Sequence, residues 1–168
     1  MDDFTRQDPT VNAPEKELLE AFLDYHRATL LQKVAGLDDA DLRRSFVPSG
    51  LTLLGMVKHL AYVERWWFQA VFAGLDVPFP WTDADPDAEF RLEPGETAAD
   101  VTALYQGEAQ ASRAITREAA LDSVAKRPIR GGKKATLRWI VVHMIEETAR
   151  HNGHADILRE LTDGATGE

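Results

Sequence analysis

The chain has no cysteine among its 168 residues. That excludes disulfides, thiolate metal ligands and a protein thiol nucleophile. Any bound metal must be held by histidine and carboxylate, and any thiol chemistry needs a thiol that arrives with a substrate or cofactor. No apolar run approaches the ~20 residues of a membrane-spanning helix, so no membrane partner is expected. Basic residues are scarce: 19 Lys and Arg stand against 28 Asp and Glu, for a formal net charge of −9. Nucleic-acid-binding surfaces are normally basic, so a small-molecule substrate is the more natural partner. The first ten residues are acidic and polar, unlike a signal peptide. A cytoplasmic location is expected.

What is present is an ordinary globular composition, 44% hydrophobic and 28% charged. The length suits one domain, expected over residues 1–168 with flexible tails at 1–13 and 163–168. Four long helical patterns are predicted. The first runs from about Pro14 to Ala35, with Pro14 in the first turn and Gly36 at the C-terminal cap. A short surface turn from Asp38 to Arg44 follows. The second pattern spans Thr52 to Gly74 and carries His59 on a stripe with Met56, Val63, Trp67 and Ala70. The third runs from about Thr97 to Ala120, opening with a capping pattern at Thr97 to Asp100. The basic stretch Lys126 to Lys134 suggests a short hairpin. The fourth helix is expected over Leu137 to Leu161, with Leu137, Ile140, Met144, Leu158 and Leu161 on its apolar face. An all-α four-helix bundle follows. The stretch from Gly74 to Gly95, rich in proline and acids, is long for a connection in a compact domain. It is either a lid over a site or an ordered loop closing one end of the bundle.

The fourth helix holds three of the five histidines. At about 100° per residue, His143, Glu147, His151 and His154 fall within an arc of roughly 80°. Glu147 and His151, four residues apart, lie one turn apart on one face and can chelate a single ion. A third ligand must come from another helix, and His59 is the best candidate. Two histidines and a carboxylate suit zinc, with nickel or iron as alternatives. Three protein ligands leave a position for water or substrate, as in catalytic sites. Each residue also has a plainer reading: His59 as a satisfied core histidine, Glu147 as an ion-pair partner of Arg150 or His151. His143 lies roughly 12 Å along the axis from His151, too far to share an ion readily, and fits a core or supporting role. His154 is open between fourth ligand, acid/base and hydrogen-bond partner. His26 has no metal-competent neighbour in sequence and reads as packing.

Two segments resemble the DinB-like superfamily, four-helix metalloproteins that include thiol-dependent S-transferases and mycothiol-dependent maleylpyruvate isomerase. One is Leu53 to Trp67, similar to the family's second helix with its ligand His59. The other is Glu147 to Asp156, similar to the final helix. Many members have a His-x-x-x-His pair there; the maleylpyruvate isomerase branch places Glu first, as Glu147 stands here. The likeness extends over most of the chain. It implies an up-down-down-up bundle, a divalent metal held by His59, Glu147 and His151, a pocket at one end and often a homodimer. The commoner His-Arg-Gly-Gln ending is replaced by His151-Asn152-Gly153-His154, which leaves His154 as a possible extra ligand.

The resemblance implies a metal-dependent enzyme, a thiol (mycothiol)-dependent S-transferase or isomerase. The metal would lower the pKa of a low-molecular-weight thiol and present it to an electrophile. Arg65, Arg150 or the Lys126–Lys134 loop could receive a carboxylate of cofactor or substrate. A variant is metal-assisted hydrolysis with His154 as proton shuttle. The alternatives are a non-enzymatic binding module with a structural ion, which four protein ligands and no water would favour, and a helical dimer without metal.

Overall fold

The structure is a computed structural model, and it describes residues 5–167. Residues 1–4 and 168, which belong to the two expected tails, lie outside the described residues. Helix α1 spans Glu15–Val34, α2 is the single turn Asp39–Leu42, and α3 spans Leu53–Glu64. Helix α4 spans Ala98–Arg117 and α5 Leu137–Asp163. Each start of α2 to α5 is set by a side chain that accepts an otherwise orphaned backbone N–H: Asp38, Thr52, Thr97 and Thr136. At Thr97 the partner Asp100 returns the bond, completing the predicted capping box. Gly36 follows α1 with φ +77°, a left-handed conformation that glycine adopts without strain.

The second predicted helix is not one α-helix. After Glu64 it winds on as a π-helix, Arg65–Phe72. The looser winding shows in the bond that Ala73 N–H donates to the Phe68 carbonyl, five residues back. The Lys126–Lys134 stretch forms an irregular hairpin. Ala125 N–H donates to Ala135 and Ile129 N–H to Lys133, while Lys126 and Arg127 bond back to Phe72 and Val71.

The contacts define the directions. Arg138 pairs with Glu15, Asn152 with His26 and Arg159 with Lys33, so α1 and α5 run parallel. Lys58 pairs with Glu96 and Arg65 with Glu108, so α3 and α4 run parallel. Trp67 meets Trp139 and His59 meets Glu147, so α3 and α5 are antiparallel. This is the up-down-down-up bundle. Parallel neighbours need a connection that travels the length of the bundle, which is why 20-odd residues separate the second and third long helices. That segment is held down: Lys58 donates from Nζ to the Arg91 carbonyl and pairs with Glu96. A short 3-10 turn, Ala88–Phe90, seats against α3.

Two apolar clusters fill the interior. One gathers Leu30, Leu53, Leu54, Leu60, Val101 and Leu158; the other gathers Leu23, Phe68, Leu137, Ile140 and Met144. A polar layer separates them. Arg27 on α1 donates from Nε and Nη2 to the two oxygens of Glu64 at 2.7 and 2.6 Å, and both side chains are buried. Burial alone would lower the Arg27 pKa, but the Glu64 carboxylate outweighs it and the pKa is raised. Thr148 and Asn152 of α5 are buried close to this level. Leu161, expected on the apolar face of α5, is exposed instead. The helix reaches Asp163, and its last turn runs beyond the partners that bury Leu158.

Candidate metal centre

Helix α3 points His59 across the antiparallel seam toward α5, where Glu147 and His151 stand one turn apart. One ligand atom from each residue lies within 4.8 Å of the others. His151 Nε2 is 3.3 Å and His59 Nε2 is 3.7 Å from Glu147 Oε1. Two ligands bound to zinc at about 2.0–2.1 Å with a tetrahedral angle would stand about 3.3–3.4 Å apart. The spacing therefore fits a shared ion. Hydrogen bonding leaves room for one: His59 Nε2, the nitrogen that faces Glu147, is buried with no hydrogen-bond partner. Buried polar groups normally find partners. The three side chains are mostly buried, with 12–16% of each exposed.

The charge distribution also favours the ionised carboxylate. His151 and then His59 hold the Glu147 carboxyl well below the usual carboxylate range, against the opposing effect of burial. Arg150 Nη1 stands 3.6 Å from Glu147 but is itself largely exposed and is also paired with Glu146. The group has the donor set for a borderline divalent cation: two imidazoles and one carboxylate.

Two neighbours come from the long connection. Glu89 places Oε1 3.4 Å from His59 Nδ1. Phe90 stacks on the His59 ring, with centroids 4.0 Å apart and planes at 12°. A histidine whose outer nitrogen faces a carboxylate is oriented with its other nitrogen free for a metal. The close fit at this point depends on Gly55, where an added Cβ would stand 2.4 Å from the Phe90 carbonyl oxygen. Neither Glu89 nor Phe90 is visible in a helical pattern. The only signal was the unusual length of the connection that carries them.

The other histidines separate. His154 is exposed one turn beyond His151, with ring centroids 5.4 Å apart, and lies outside the three-residue group. His143 is not a core residue. It is stacked on Trp139 and meets the edge of Trp67, with Glu146 at 3.5 Å from Nδ1. His26 is half-buried, and burial lowers its pKa. Of the basic candidates, Arg65 is engaged by the Pro78 carbonyl and Glu108.

Fold and site together define a DinB-like four-helix bundle whose antiparallel seam carries a His–Glu–His group able to hold a divalent ion. The family model described as mycothiol-S-transferase matches residues 18–164, and the chain belongs to that family. Its fold is similar to the crystal structure of a conserved protein from Enterococcus faecalis, with a TM-score of 0.69 at 15% identity. That likeness covers 92% of this chain and 100% of the other. No curated protein matches the chain. No helix among the described residues is long and apolar enough to cross a membrane.

Proposed function

We propose that this protein is a zinc-dependent transferase that joins a low-molecular-weight thiol, mycothiol in the family's own chemistry, to an electrophilic small molecule. His59, Glu147 and His151 are the ligands in this reading. A divalent ion bound there would acidify the thiol and hold its sulfur as thiolate. The observation that carries the reading is the meeting of His59 with Glu147 and His151 across the α3–α5 seam, with His59 Nε2 buried there and left without a hydrogen-bond partner.

The protein's own groups then have distinct tasks. Glu89 and Phe90 fix the His59 ring, so that Nε2 faces the centre. Glu147 supplies the negative charge that keeps the site attractive to a cation. His154, exposed at the rim, accepts the thiol proton and returns it to solvent. The sulfur lone pair forms the C–S bond, and the leaving group departs with the bonding pair. An isomerase variant would add the same thiol to a double bond and later expel it. The reading is supported by the family and by the donor set. The test is thiol consumption against a panel of electrophiles. Turnover should require added zinc and be lost by at least about a hundredfold in His59→Ala, since a metal-bound nucleophile contributes several kcal/mol. No turnover with any electrophile, in protein shown to hold metal, would contradict it.

A further inference from the structure

A cavity of about 190 Å³ opens beside the His–Glu–His group, walled by Val63, Trp66, Trp67, Trp81 and Glu89. Val63 lies four residues beyond His59 on the same helix, so the cavity begins about 6 Å along the axis from that residue. Glu89 belongs to both places: it faces His59 Nδ1 and forms a cavity wall. The lining thus combines three indoles, one aliphatic side chain and one carboxylate, and it includes no base.

Shape and charge narrow the occupant. Trp66 and Trp81 have centroids 6.2 Å apart and planes at 66°, so they form a corner and not a slot for a flat ring. Phe79 backs this corner, 4.4 Å from Trp81 and 5.5 Å from Trp66. The ring faces carry negative potential, and the Glu89 carboxylate shares the lining. Such a corner suits a compact, rounded cation. An anionic group would meet Glu89 with no compensating base, because Arg65 is already engaged by Glu108. Two features argue against an accident of core packing. Trp66 stays 38% exposed. The two rings of the corner also come from separate segments, Trp66 from the π-helix and Trp81 from the long connection, and π-helical turns recur at functional sites.

We propose that this cavity is the acceptor subsite and that the acceptor carries an alkylated ammonium group, seated in the Trp66–Trp81 corner and facing Glu89. The acceptor's role rests on the transferase reading; the cation preference of the cavity does not. The test is a tryptophan-fluorescence titration of the full chain, with and without zinc. The probes are choline, its neutral isostere 3,3-dimethylbutan-1-ol and the anion 3,3-dimethylbutanoate. Choline should bind about tenfold more tightly than the neutral isostere, within the range of aromatic–cation attraction, and the anion should be weakest. Trp81→Ala should erase the preference and Trp81→Phe, which retains an aromatic face, should keep it. Equal affinity for choline and the alcohol, tighter binding of the anion, or no binding of choline would overturn the proposal. Thiol consumption measured on the same samples separates this outcome from failure of the transferase reading.

Discussion

At the residue scale, the centre depends on a side chain far from any histidine in sequence. Glu89 stands 3.4 Å from His59 Nδ1, while Glu147 stands 3.7 Å from Nε2. The imidazole is thus bracketed by two carboxylates, one able to share an ion and one able to orient the ring. Carboxylates placed behind a ligand histidine typically contribute about 10–100-fold in metal affinity. Glu89→Gln is expected to weaken zinc binding by about that factor, read by competition with a chromophoric chelator, while leaving the helical circular dichroism unchanged. His26 has a separate effect. Burial holds its folded pKa below the ordinary value of 6.5, so below that pH the unfolded chain binds more protons than the folded one. The stability associated with neutral His26 is therefore complete above about pH 6.5 and is lost as the pH falls through that value toward the lowered folded pKa. Denaturant midpoints of wild type and His26→Gln, compared at pH 7.5 and 5.5, should show a smaller acid loss in the variant. Glutamine has no proton to gain in this range. Equal losses would remove His26 from the account.

At the scale of elements, the α5 stripe was legible because i, i+4 spacing on a helix is a reliable rule. Glu147 and His151 accordingly stand together, with His154 a turn further on and His143 in an aromatic stack. The π-helix was not legible: a 3.6-residue stripe runs through Val63 and Trp67, whereas the looser winding leaves these two partly buried and turns Phe68 and Phe72 inward. The seating of the long connection on α3 was hidden for another reason. It rests on an absent side chain, Gly55, beneath the Phe90 carbonyl. Glycine inside a helix normally costs about 1 kcal/mol relative to alanine, so Gly55→Ala would stabilise a free helix. Here the added methyl meets backbone at 2.4 Å. The expected net effect is destabilisation by about 1–3 kcal/mol, as for other overpacked sites, together with loosened zinc binding through displaced Glu89. A rise in the urea midpoint would contradict this.

At the scale of the whole molecule, the four long helices were legible from periodicity and caps, while their up-down-down-up pairing was legible only through the family resemblance. Periodicity tells which face is buried but not which helix buries it. The Arg27–Glu64 pair shows the difficulty: two charges inside apolar stripes read as interruptions until α1 and α3 are packed together. Removing one partner leaves a buried charge alone, a loss of about 3–5 kcal/mol. Arg27→Met should therefore cost that much in denaturant unfolding, and Arg27→Met with Glu64→Leu should recover most of it. The parallel α3–α4 pair likewise explains the long connection, which closes one side of the seam and carries Glu89, Phe90 and Trp81 to it. The central claim is that this packing assembles a metal centre from His59, Glu147 and His151. The most direct measurement is elemental analysis of purified wild type beside His59→Ala and Glu147→Ala, each shown to be folded. The account predicts close to one equivalent of a divalent metal in the wild type and little in either variant. Equal, negligible metal in all three would contradict it.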